Sequence, residues 1–223
     1  MVYRILRKLT AAGIDWRSIV FFMLDMQRKG TALPPESPSD RPSDKLPQHL
    51  EYHIIDSIAD SWLKVLCDAY PQKQFHLRMI QDCQQCYIVL LGDKLAAYAW
   101  VTTSTCRVSE IDLQLQVGPG RLYIYDCFVR ADYRGQGIYS ALLKKIIADY
   151  QLRRWPNRYD TAFIVAESSN TASIRGIRRA GFDEFAQVRY LHMGSFSRWY
   201  GVEGLSARMT TVRLSGTRSV LSD

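Results

Sequence analysis

Arg134, Gly135, Gln136 and Gly137 form a short glycine-bearing loop between an apolar run, Leu122 to Val129, and a segment whose apolar residues take helical spacing. A loop of this kind can hold a phosphate. The first N–H groups of a helix have no intrahelical partner and its dipole puts partial positive charge there, so an anion meets several donors at once. Gly135 and Gly137 lack a Cβ and reach positive φ readily, which lets an anion approach the main chain closely. Arg134 adds a planar cation suited to phosphate oxygens. The competing reading is a solvent-facing turn that merely joins strand to helix.

The flanking elements are those such a loop needs. Leu122 to Val129 is rich in β-branched and aromatic residues and reads as a strand, and Ala131, Asp132 and Tyr133 carry turn character. From Ile138 the period changes. Ile138, Leu142, Ile146, Ile147 and Tyr150 define one apolar helix face. A second unit follows: Thr161 to Ala166 reads as a buried strand, then Glu167, Ser168, Ser169 and Asn170, a helical run, and Ala180, Gly181 and Phe182. Asn170 suits an N-cap and Gly181 a helix stop.

Arg-x-x-Gly-x-(small) after one strand, and Asn-x-x-Ser before a helix ending in Gly-Phe, resemble the two motifs of the GNAT superfamily of N-acetyltransferases, with the resemblance running from about Leu50 to about Met193. It implies an α/β fold, a single domain whose mixed, mostly antiparallel sheet is splayed between its central strands and flanked by helices. The strand matching Leu122 to Val129 would carry a bulge, and the pantetheine arm of acetyl-CoA or another acyl-CoA, the co-substrate, would lie in the gap before Thr161 to Ala166. On this resemblance the main chain of Phe128 and Val129 holds the arm. Arg134, Gly135, Gln136, Gly137, Ile138 and Tyr139 hold the pyrophosphate, and Asn170 and Ser173 line the far side.

Two positions depart from the family pattern. The last loop residue is usually Gly or Ala, whereas this chain has Tyr139. Many relatives also place a tyrosine four residues before the Gly-Phe pair, as proton donor to the leaving thiolate, and here that residue is Ile177. A hydrocarbon donates no proton. Tyr190 and Tyr139 are the candidate replacements, against the plainer reading of both as packing residues with a wet hydroxyl. For the amine's proton, Asp126 stands out as a carboxylate inside an apolar strand, costly to bury without partners. It equally suits a structural acceptor for a neighbouring loop. Glu167 is the next candidate, and Glu110 falls in a region whose placement the pattern does not set.

Upstream, Tyr52 to Ile55 reads as a strand, and Ile58, Trp62, Val65, Leu66 and Ala69 space a helix that stops before Pro71. A second helix is expected over Phe75 to Gln81. Tyr87 to Leu91, the turn at Gly92, Asp93 and Lys94, and Leu95 to Thr103 read as an antiparallel hairpin. With 223 residues the chain suits one core. The expected division is an N-terminal extension at 1–30, a Pro/Ser-rich linker at 31–48, the acyltransferase domain at 49–195, and a C-terminal extension at 196–223. In the extension, Arg4, Arg7 and Lys8 oppose Ile5, Leu6 and Leu9, ahead of the apolar run Ile19 to Leu24. That run is too short to span a bilayer. It is expected to pack on the domain or on a second copy in a homodimer, ahead of membrane-surface contact.

Cys67, Cys83, Cys86, Cys106 and Cys127 form no disulfide framework, and the histidines show no metal-ligand spacing, so no metal and a reducing cytoplasm are expected. The formal charge of +7 invites a nucleic-acid reading. A phosphate-rich coenzyme accounts for basic residues near the motifs equally well, and no nucleic-acid signature is present. The expected activity is N-acyl transfer to a primary amine, an amino sugar or another small-molecule amine. The alternative is a binding module that senses acyl-CoA without turnover.

Overall fold

Phe21 and Phe22 are neighbours in β1 (Ile14–Asp25) and both are fully buried, yet they belong to different apolar clusters. Successive side chains of a strand point to opposite faces, so both faces of this strand are covered. The same division recurs at Tyr123 and Ile124 in β7 (Arg121–Val129) and at Phe163 and Ile164 in β8 (Thr161–Glu167). The computed structural model describes residues 14–27, 46–47, 49–73, 75, 84–152, 159–206 and 211–214.

These strands lie inside an eight-stranded sheet. Its remaining members are β2 (Leu50–Ile55), β3 (Gln85–Leu91), β4 (Lys94–Thr102), β9 (Asp183–Met193) and β10 (Phe196–Tyr200). The order is β10-β9-β1-β8-β7-β4-β3-β2, antiparallel throughout except for the parallel pair β7 and β8. The mixed, mostly antiparallel sheet expected from the sequence is present.

Three layers cover it. Helix α1 (Ser61–Ala69) starts at Asp60, whose Oδ1 accepts from Trp62 N at 2.8 Å, and it ends ahead of Pro71. It packs Leu63 and Leu66 against Phe75, Tyr98 and Trp100. On the opposite face, α2 (Ile138–Leu152) and α3 (Thr171–Arg179) bury Leu142, Leu143, Ile146 and Ile177 with Phe22, Ile124 and Ile164. A separate three-stranded sheet of β5 (Thr105–Val108), β6 (Leu113–Gln116) and β11 (Thr211–Leu214) covers another part of the face that α1 covers. Through Val108, Leu113 and Leu115 it seals Phe21, Tyr123 and Phe163.

The domain boundaries differ from those expected. β1 is no appendage: it pairs with β8 from Ile19 to Asp25 and with β9 from Ile14 to Met23. Beyond residue 195, β10 pairs with β9 and β11 with β6, so the C-terminal extension also enters both sheets. The predicted strands and the hairpin form within a few residues of their expected limits, and α1 begins three residues after Ile58. The expected helix over Phe75 to Gln81, apart from Phe75, lies outside the described residues, as do Arg4 to Leu9 and nearly all of the linker.

Candidate active site

The site begins where β7 leaves β8. The two pair from Arg121 opposite Thr161 to Ile124 opposite Ile164 and then part. On its other side β7 stays with β4, but with one residue too many. Tyr98 faces Phe128 and Trp100 faces Tyr125, leaving Asp126 and Cys127 to oppose Ala99. This is a β-bulge, and Asp126 takes the left-handed φ of 43° that a short polar residue tolerates best. Along the strand, Leu122 to Ile124 are buried and every residue from Tyr125 to Val129 is partly exposed. A cavity of about 610 Å³ opens at the parting, walled by Asp126, Cys127, Tyr139, Glu167, Asn170 and Ser173 among others.

The glycine loop closes one end. Gly135 and Gly137 have φ of 76° and 78°, so both use the conformation that glycine takes at little cost. The first turn of α2 is tied by Ala141 N donating to Gly137 O at 3.1 Å, which leaves the amides ahead of it without an intrahelical acceptor. Two loop side chains brace the turn: Arg134 Nε donates to Val129 O at 3.1 Å and Gln136 Nε2 to Asp132 O at 3.1 Å. Arg134, expected as a free phosphate ligand, thus spends one donor on the strand. Ile138 turns its side chain into the core and offers only main chain to the loop.

The other predicted residues divide clearly. Phe128 stacks its ring on Tyr98 and meets Tyr70 edge-on, at centroid distances of 5.5 and 5.4 Å, so its main chain alone is left to serve the gap, beside Val129. Asn170 Oδ1 accepts from Ser173 N at 3.0 Å and caps α3 as predicted. Asp126 is paired: Lys73 Nζ donates to its Oδ1 at 2.7 Å, with the carboxylate 18% exposed. Glu167 accepts from Arg17 Nη1 at 3.2 Å. Arg17 also bonds Asp15, and chiefly through that bond its guanidinium is held more firmly protonated than usual.

Tyr190 is the exception among the candidate catalytic residues. It lies in the cluster under the small sheet, packed on His192 and Trp199, with its hydroxyl 3.3 Å from Ser197 Oγ. The alternation of β9 puts it with Val188 on that face, and it is not among the residues that wall the cavity, although Cys106, Val108 and Tyr123 of the same cluster are. Its role as a proton donor is withdrawn. Tyr139 does line the cavity.

Sequence reasoning missed Lys73, Gln84, Tyr125, Arg17 and the wall formed by Thr105 to Ser109, and left Glu110 unplaced. Tyr125 donates its hydroxyl to Gln84 Oε1. Glu110 sits in the 3-10 turn Ser109–Ile111, which Trp199 Nε1 anchors by donating to Ile111 O at 2.7 Å. No local pattern marks these residues, because the cavity wall is assembled from distant segments and Arg17 meets Glu167 only through the pairing of β1 with β8.

Burial governs the two titratable groups at the bulge. It pushes the Cys127 thiol from 9.0 up to about 12, opposed by a hydrogen bond from Tyr139 and aided by the charge of Asp126. It also holds the Tyr139 phenol well above its ordinary range, with Cys127 adding to the effect and Ser173 opposing it. A raised acid keeps its proton in the folded chain longer than in the unfolded one, so its stabilisation is complete below the unfolded value and is lost as pH rises toward the folded one. The thermal midpoint of the native chain should therefore fall between pH 9 and pH 12. Cys127→Ala should fall less steeply in parallel melts at pH 8 and pH 10.5, and equal slopes would contradict the assigned shift.

A strand, a left-handed glycine turn and a helix start, set against a parted sheet, make an architecture in which main-chain groups can hold an elongated ligand with an anionic head. The sequence profile of the Acetyltransferase (GNAT) family matches residues 52–182, more than half of the chain, and the protein belongs to that family. Solved structures resemble the chain at low identity. An acetyltransferase of the GNAT family from Colwellia psychrerythraea is 16% identical with a TM-score of 0.48, the match covering 81% of this chain and 57% of that one. A GCN5-related N-acetyltransferase from Kribbella flavida is 12% identical with a TM-score of 0.48, covering 82% of this chain and 61% of that one. The present chain thus spans less than two thirds of either. The comparison with curated proteins gives no match. Among the described residues no helix is long and apolar enough to cross a membrane.

Proposed function

We propose that this protein is an acyl-coenzyme A-dependent N-acyltransferase, with acetyl as the acyl group, working in the cytoplasm on a small primary amine such as an amino sugar. The supporting observation is the direct adjoining of the left-handed Gly135–Gly137 turn to the gap between β7 and β8. The bound co-substrate supplies an activated thioester. The turn offers amides to its diphosphate, and the gap leaves the β8-facing side of Phe128 and Val129 for an extended arm.

Asp126 is the residue to receive the acceptor. Its carboxylate already holds one primary ammonium, Lys73 Nζ, so charge and size there suit an incoming amine. Glu167 stands on the opposite strand, more exposed and tied to Arg17. Direct attack is favoured over an acyl-cysteine route, because Cys127, the thiol at the bulge, sits at about 12 and is almost wholly protonated near neutral pH.

Calorimetry with acetyl-coenzyme A and a thiol-release assay across a panel of primary amines test the reading. Tight binding with thiol release for at least one amine supports it. Binding without release would favour a sensor, for which the buried hydrocarbon of Ile177 is the motivating feature. Asp126→Asn keeps a residue that tolerates left-handed φ, so coenzyme affinity should hold while kcat falls about 100-fold through loss of the base. Glu167→Gln should change kcat by less than about threefold, the reverse order of effects exchanging the two roles.

A further inference from the structure

We infer that Lys73 is itself an acyl acceptor: its Nζ takes the acyl group from a carrier bound in the same chain, leaving an acylated lysine on the wall of the cavity. The inference rests on the carrier site proposed above and adds a modification site to it.

Lys73 Nζ donates to Asp126 Oδ1 at 2.7 Å, so a primary amine of the chain already occupies the place assigned to the incoming acceptor. Both residues wall the cavity, and among the described residues that do so Lys73 is the one lysine. Lys145 offers the contrast. It donates to Asp149 at the same 2.7 Å, and its side chain is 39% exposed against 37% for Lys73, but it stands on α2 and is not part of that wall.

The main chain of Lys73 is anchored to the strand that would hold the carrier's arm. Lys73 ends the 3-10 turn Pro71–Lys73, and its N donates to Tyr70 O at 3.0 Å. Tyr70 sets its ring edge-on to Phe128, to Tyr98 at 5.6 Å and to Phe75 at 6.3 Å. The lysine therefore reaches out from a base packed on Phe128, two residues beyond Asp126 in β7 and past the point where β7 parts from β8. Its flexible four-carbon stem lets the nitrogen move without disturbing that base.

Position makes such an amine reactive. A nucleophile held beside a bound electrophile reacts in an intramolecular step, which avoids the entropy of an encounter. The contact with Asp126 is also short enough for direct proton transfer. In the step, the ammonium passes one proton to the Asp126 carboxylate, and the neutral nitrogen forms the C–N bond as the C–S bond breaks. The second nitrogen proton goes through water to the departing sulfur, and Asp126 releases the first to solvent. One ammonium and one thioester become one amide, one thiol and one proton. The amide no longer competes with an acceptor ammonium for that carboxylate.

Incubation of the full chain with acetyl-coenzyme A and no acceptor amine, followed by intact-mass and peptide mass spectrometry, tests this. Lys73 should be acetylated at least about tenfold faster than Lys145, the advantage coming from position alone. Its rate should be first order and independent of chain concentration, and excess coenzyme A should bring it down to that of Lys145. Lys73→Arg keeps a cation for Asp126, and the intact chain should then gain acetyl only at the background rate. Asp126→Asn should slow the labelling of Lys73 about 100-fold. Labelling at Lys73 that merely matches Lys145, survives excess coenzyme A or quickens with chain concentration overturns the inference. Calorimetry separates the two readings: a chain that binds acetyl-coenzyme A without acetylating Lys73 keeps its carrier site and loses this assignment, and a chain that does not bind it loses both.

Discussion

Gly137→Val should weaken acetyl-coenzyme A binding by at least about 100-fold, the loss expected when two charge-assisted hydrogen bonds of about 1.5–3 kcal/mol are misplaced. At φ 78° a β-branched residue is strained, by about 1–3 kcal/mol, and the turn relaxes toward negative φ. That rotation turns the amides at the start of α2 away from the position where they converge. Space also matters: a Cβ at 137 would meet Leu46 Cδ1 at 3.5 Å, ordinary contact, but the γ carbons of valine must then displace Leu46 or enter the anion's place. The strain lies at a surface turn, so the thermal midpoint should drop by only about 3–10 °C, still with a cooperative transition. Gly135→Ala is the graded control. Its φ is 76° with nothing within 4 Å of the added carbon, so it carries the strain without the obstruction and should give a smaller loss. Calorimetry on the three proteins decides. Native affinity in Gly137→Val would remove the phosphate site from this loop.

The part of the site that was legible in the sequence is local in the chain. The Gly135–Gly137 turn and the Asn170 cap each act on groups within a few residues of themselves, so backbone preference and capping chemistry expose them directly. The bulge was legible only through the family resemblance. No residue type in Tyr125, Asp126 and Cys127 demands an extra residue opposite Ala99; the register with β4 does.

What stayed hidden depends on pairing between remote segments. Arg17 and Glu167 are 150 residues apart, and Lys73 and Asp126 are 53 apart. Only the strand order brings them together. The reading of Tyr190 has the same origin, since alternation along β9 assigns its side chain to a face, but its distance from the cavity depends on β1 lying between β9 and β8. Ile19 to Leu24 carried a usable signal. A continuous apolar run without alternation is what a strand covered on both faces requires, and the proline-rich stretch after it argued for separation from the domain instead.

Because of that placement, a chain beginning at residue 49 should fail to fold, although it contains the whole family match at 52–182. Without β1, the edges of β8 and β9 that it joins lose their ladder partners over most of their lengths. Unpaired edges with apolar faces associate with other chains rather than stay exposed. The cores lose Phe22 and Val20 on the helical face, and Phe21 and Ile19 beneath the small sheet. One such phenylalanine reduced to alanine costs about 3–5 kcal/mol, a large share of the about 5–15 kcal/mol that holds a domain together. The loss also reaches the site. Ser168 N donates to Ser18 O at 2.8 Å and Arg17 holds Glu167, so β1 supports the turn that delivers Asn170 to α3. Phe22→Ala in the full chain should therefore melt cooperatively at a markedly lower temperature, and the truncated chain should be aggregated or lack a cooperative transition. A truncated chain that is monomeric, melts cooperatively and binds acetyl-coenzyme A within about twofold of native affinity would show that the sheet closes without its N-terminal strand.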